Sequence, residues 1–169
     1  NPSNPIVLSK KMDFAAYDID VKFDDAALAG LARNAFTEKT GARGLVNAVE
    51  RALLAFESRL PSTRARVFPV TARTLAEPES EMEAFLSEPG LEKIDQTFEK
   101  VCRNETESIR SHIAGHCGKL SEKHSFPLTE ERIDILTRFC ATRITDIDNA
   151  FATVASYFEE VKNIERYFA

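Results

Sequence analysis

The stretch EKTGARGL, residues 38–45, concentrates the chemistry most easily read from this chain of 169 residues. Arg43 lies between Gly41 and Gly44, and a long apolar-striped run follows at once. The arginine therefore stands at a helix start, where the partial positive charge disfavours a cation by roughly 0.3–1 kcal/mol. Two readings fit. Arg43 is a surface residue paired with Glu38 or Asn47, or it is a cation placed for an anion, which free amides at a helix start also attract. Gly41 and Gly44 read as backbone devices, one permitting the turn and the other a close approach. Lys39 reads as a solvated lysine, with an anion contact as the lesser reading.

Other residue types offer less. His112, His116 and His124 fall within 13 residues, with Cys117 adjacent and Cys102 upstream. His112 and His116, at i and i+4, share a helix face, as a metal site would require. No paired-cysteine motif completes a ligand set, so ordinary polar or partly buried histidines are expected and no metal. No nucleophile–base pair or carboxylate dyad stands out. Nowhere does GxxxxGKS or GxxxxGKT occur, nor an apolar strand ending in paired acids, so the chain lacks the phosphate-cradling loop and the magnesium ligand of an ATPase.

The whole chain is acidic at −5, and the charge is uneven. Residues 1–80 hold 11 Lys/Arg against 10 Asp/Glu, and residues 81–169 hold 11 against 17. The acidic second half argues against a nucleic-acid surface, and the step in charge suggests two modules. No apolar run approaches the roughly 18–20 residues of a membrane span. Three cysteines without framework spacing fit a reduced, cytoplasmic setting. The first residue is not Met, which suggests a piece of a longer protein.

Periodicity supplies the elements that must hold Arg43. Residues 6–16 read as a short helix, with Pro5 near its start. IDVKF, 19–23, alternates as a half-buried strand does. Asp24 or Asp25 caps a helix whose face is Leu28, Leu31, Ala32, Ala35 and Phe36. After KTGARGL a helix runs to about Leu60 on the stripe Leu45, Val49, Ala52, Leu53, Phe56 and Leu60, and Pro61 stops it. ARVFPVT, 65–71, is a second strand that Pro69 confines to a sheet edge. Residues 74–81, TLAEPESE, read as a linker. Beyond it Leu91, Ile94, Phe98 and Val101 follow a heptad seam that slips near Glu105 and resumes at Ile109 and Ile113. Gly115 and Gly118 end that helix. Thr129 with Glu130 and Glu131 starts another, striped by Ile133, Leu136 and Cys140. Ile144, Ile147, Phe151, Val154, Phe158 and Val161 predict a final helix of about 25 residues, packed along the one that begins near Leu91. Phe151, Tyr157, Phe158, Tyr167 and Phe168 could form a docking patch, although core packing explains the seam more simply. The fold expected is mainly α with a small sheet, followed by a helical hairpin or bundle.

The stretch VKFDDAALAGLARNAFTEKTGARGLVNAVERALLAFESRLPS resembles the C-terminal small domain, or lid, of AAA+ unfoldases of the Clp type, ClpX above all. A strand leading into an acid-capped helix, the KTGARGL junction and the closing LPS carry the likeness. It extends back through PSNPIVLSKKMDFAAYDIDVKF and forward through ARVFPVTARTL, covering residues 1–76 and leaving 80–169 as a helical accessory domain. The resemblance implies that Arg43 is the sensor 2 arginine. It would reach the terminal phosphates of ATP, with its Mg, held by the protein's own large domain. Gly41, Ala42 and Gly44 would share that contact. It further implies a hexameric ring with neighbouring subunits, protein substrates, and no catalysis by this piece alone. A protease ring as a further partner depends on a loop of the large domain. The alternative is an interaction module whose helical part binds an adaptor, a substrate or a neighbouring subunit.

Overall fold

The computed structural model describes residues 4–37 and 42–168, with backbone alone at Thr37, Ala42, 88–92 and 162–168. The chain divides into two compact units, Asn1–Glu105 and Thr106–Ala169.

The first unit begins with helix α1, Pro5–Ala15, whose first turn is capped by the Asn4 side chain accepting from the Ile6 N–H. Strand β1, Asp20–Phe23, follows. Helices α2 (Asp25–Thr37) and α3 (Ala42–Arg59) then cross over to strand β2, Val67–Val70. The two strands pair in parallel, Asp20 opposite Val67 and Phe23 opposite Val70. A parallel pair requires such a long crossover. Asp20 N–H donates to Arg66 C=O at 2.9 Å and Asp24 N–H to Val70 C=O at 3.0 Å. Even-numbered amides of β1 thus face β2, and odd ones face away. By the same register Pro69 points its nitrogen outward, where the missing N–H costs no ladder bond.

Two sequence readings need correction here. Of the expected stripe of α2, Leu31 and Ala35 are buried and Leu28 packs against the core, but Ala32 is exposed, Phe36 is 85% exposed, and Ala27 is buried in their place. The small alanines let α2 lie close to its neighbour α3, and the buried face is turned by about one residue. Residues 74–81 are no linker. Helix α4, Ala72–Ala76, starts in a capping box between Thr71 and Thr74. Helix α5, Pro78–Leu86, starts with Pro78 in its first turn, where its lack of an N–H is harmless, and with Glu79 and Glu81 on the favoured side of the dipole. The proline and acids that suggested a linker are helix-start residues. Met82 and Phe85 of α5 are buried in the first core. Four aromatic rings organise that core: Phe68 lies 4.6 Å from Phe56, 5.4 Å from Phe14 and 5.5 Å from Phe85.

Helix α6, Glu88–Gly115, carries the chain across the division between the units. The second unit adds α7 (Cys117–His124), α8 (Glu130–Thr142) and α9 (Ile147–Phe168). Gly115 ends α6 as expected, but Gly118 lies inside α7 and stops nothing. Thr129 caps α8 by accepting from the Arg132 N–H. The second core comprises Ile109, Ile113, Phe126, Ile133, Leu136, Cys140, Ile147, Ala150, Phe151 and Val154. Helix α9 therefore packs on α7, α8 and only the end of α6, because Ile94 belongs to the other core. Of the seam expected to pack along α9, Ile94 is buried in the first core instead. The fold is mainly α with a two-stranded sheet, followed by a helical cluster, the class the sequence led us to expect.

Candidate functional site

Arg43 occupies the second position of α3, and its side chain is exposed. The helix is fixed by its other face. Val49, Leu53, Phe56 and Leu60 are fully buried, and Leu45 and Ala52 are packed beside them. Gly44 is buried one turn before Ala48 on the same side. It therefore belongs to the packed face, while Arg43 shares the exposed stripe of Asn47, Glu50 and Leu54.

The helix starts differ in charge, and α3 shares with α1, α4 and α7 the lack of a first-turn acid. α2, α5, α8 and α9 each carry an acidic residue in the first turn, the sign the dipole favours. α3 carries none and presents Arg43 there instead. Among the described residues Arg43 has no hydrogen-bond or ion-pair partner, so the pairing with Asn47 is not formed. Glu38, Lys39 and Gly41 lie outside the described residues, and of Ala42 only the backbone is described. A permanently charged, forked guanidinium in the open suits a phosphate or carboxylate brought to it.

Comparison with known families bears on this segment alone. Residues 8–63 match the family model described as the C-terminal, D2-small domain, of ClpB protein. The segment is of the Clp AAA+ small-domain type. The match takes in α1 from Leu8 onward, β1, α2 and α3, and so the helix start that presents Arg43. It covers a third of the chain and none of the second unit. No solved structure matches.

The histidines do not gather. His112 and His116 stack at 4.3 Å between ring centroids, and the Nδ1 of His116 lies 2.9 Å from the His112 carbonyl oxygen. Burial, then the neighbouring His116, holds His112 below the usual imidazole range. His124 lies instead against Phe151, ring centroids 4.4 Å apart, with its Nε2 3.2 Å from Asp148 Oδ1. Among the described residues no three His, Cys, Asp or Glu side chains converge on one point. No helix among them is long and apolar enough to cross a membrane.

One polar cluster escaped the sequence reading. The heptad seam of α6 slips at Glu105 because that carboxylate is buried, at 3% exposure. Its Oε1 pairs with Lys11 Nζ at 2.7 Å and Lys22 Nζ at 3.7 Å, and its Oε2 accepts from Phe23 N–H at 3.1 Å. The only trace in the sequence was an acid where the period called for an apolar residue. Its partners, on α1 and β1, lie more than eighty positions away.

Proposed function

We propose that this chain is the C-terminal part of a Clp-type AAA+ ATPase, ClpX-like in the use of its lid, that unfolds or remodels protein substrates. In this reading Arg43 is the sensor 2 arginine. It approaches the terminal phosphates of ATP held with Mg by the protein's own large domain, and neighbouring lids link the subunits of a hexameric cytoplasmic ring that can feed a protease. The observation that carries the reading is the exposed arginine at the start of α3, without a partner among the described residues, inside the segment that matches a Clp small domain. Arginine supplies what phosphoryl transfer needs most, charge stabilisation in a fixed place. Gly41 and Ala42 would let the phosphate approach the main chain, while Gly44 supports the helix from its packed side. ATP and Mg bring the reactive phosphoryl group; this chain contributes the guanidinium and the angle at which it arrives.

The test is Arg43→Ala in the full-length protein. ATP turnover falls about tenfold or more, as loss of a phosphate-directed arginine requires, while the circular-dichroism spectrum is unchanged. Unaltered turnover removes the sensor role.

A second reading, an interaction module, rests on α9. Phe151 and Phe158 of the expected docking patch are packed into the second core, but Tyr157 and Val161, one turn apart, are 60% and 52% exposed. Tyr157→Ser with Val161→Ser would then abolish binding of an adaptor or substrate and spare ATP turnover. Retention of every partner would dismiss it.

A further inference from the structure

Strand β1 has a free edge, and an acid from α6 closes it. Phe23 has an odd-numbered amide, so its N–H points away from β2. A buried amide without an acceptor is costly. Glu105 Oε2 accepts from it at 3.1 Å, while Oε1 meets Lys11 at 2.7 Å. Lys11 is itself 6% exposed, and the nearby Lys22 Nζ approaches Asp20 at 3.9 Å as well as Glu105 at 3.7 Å. Three partners thus converge on one carboxylate from two elements.

Apolar contact alone holds this part of α6 weakly. Among the described residues of α6 up to Glu105, only Ile94 belongs to the first core, with Val101 buried separately and Phe98 half-buried. Apolar packing of this kind is tolerant of sliding by a turn, whereas a carboxylate that must meet an amide and two ammonium groups is not. A buried charge deprived of its partner is strongly unfavourable, so this stretch of the helix is either seated or released.

We propose that Glu105 is the key of a conformational latch. Seated, it fixes the register of residues 94–105 against α1 and the free edge of β1. Withdrawn, it lets that stretch of α6 open while the core of α1, α2, α3 and the sheet stays folded. The latch is separate from Arg43 and does not depend on the ATPase reading.

Amide hydrogen exchange on the full chain tests it. In Glu105→Ala, Phe23 and residues 94–105 exchange at least about tenfold faster, while Val49, Leu53 and Phe56 of α3 keep their rates, the signature of local rather than global opening. Glu105→Gln keeps an acceptor for Phe23 but loses the ion pairs, and it shows the same pattern to a smaller extent. Unchanged exchange at Phe23 and 94–105 overturns the latch. Uniform acceleration that includes α3 also overturns it, since Glu105 would then be a general stabiliser. Should Glu105→Ala fail to fold, Glu105→Gln decides by the same criterion.

Discussion

In the first unit a glutamate is drawn into the interior by two lysines and a main-chain amide. In the second, the ion pairs sit in solvent: Arg110 with Asp134 and Glu130, and Lys123 with Asp148. The contrast follows from backbone chemistry. A sheet edge leaves donors and acceptors that something else must satisfy, whereas a helix satisfies its own interior. The unit with the sheet buries a charge beside an orphan amide. The unit made of helices has no such need, and its charges stay at the rim, where each pair contributes about 0–1 kcal/mol. What the second unit buries instead is neutral: the thiol of Cys140 and the hydroxyl of Thr137.

The largest effects should come from the two aromatic centres, and they test whether the units are separate at all. Phe68→Ala removes the ring that touches Phe14, Phe56 and Phe85, and Phe151→Ala removes the partner of His124 and Phe126. Each is expected to cost about 3–5 kcal/mol in its own unit, read as faster amide exchange there and not in the other. Loss of protection in both units from either substitution would break the comparison.

A pH scan sharpens it. Burial, then the charge of Asp146, pushes the Cys140 thiol up to about 12 from an ordinary 9.0. The folded form therefore holds its proton more tightly than the unfolded form. That contribution is complete below pH 9 and is lost as pH climbs from 9 towards 12, at about 1.4 kcal/mol per pH unit. The second unit should show this alkaline loss by denaturant titration, and Cys140→Ala should remove it. An unchanged slope in the variant would show that the thiol is not the group responsible.

The smallest changes are stabilising. A methyl group at Gly30 in α2 would meet Leu75 Cδ1 at 3.5 Å, ordinary contact, and one at Gly118 in α7 would meet nothing within 4 Å. Gly30→Ala and Gly118→Ala should each add about 0.5–1 kcal/mol from helix propensity alone, one in each unit, measured by thermal unfolding. A lowered midpoint for Gly30→Ala would mean that α2 lies tighter against α4 than these distances indicate.

What was legible in the sequence was local. The alternation in IDVKF, the cap at Thr129 and the stripe of α3 each rest on residues within a few positions of one another, and each is found. Arg43 was legible for the same reason, since an ill-placed cation between glycines needs no distant information. The rest depended on tertiary partners. Pro78 looks like a linker proline until Met82 and Phe85 are seen to need a core. Ala32 and Phe36 fit the apolar period of α2 as well as Ala27 and Ala35 do, and only the neighbouring α3 selects between them. Glu105 declared itself as an irregularity, but the lysines that explain it stand at the opposite end of the unit's sequence.

The sheet has a further consequence, for how copies of this protein meet. Two strands are few, and a short ribbon with open sides is a template for strand addition and aggregation. Here both sides are blunted. Pro69 interrupts the outer row of donors on β2, and on β1 the Phe23 amide is already engaged by Glu105. A proline and a carboxylate, unrelated in sequence, thus keep the smallest element of the fold from recruiting another chain.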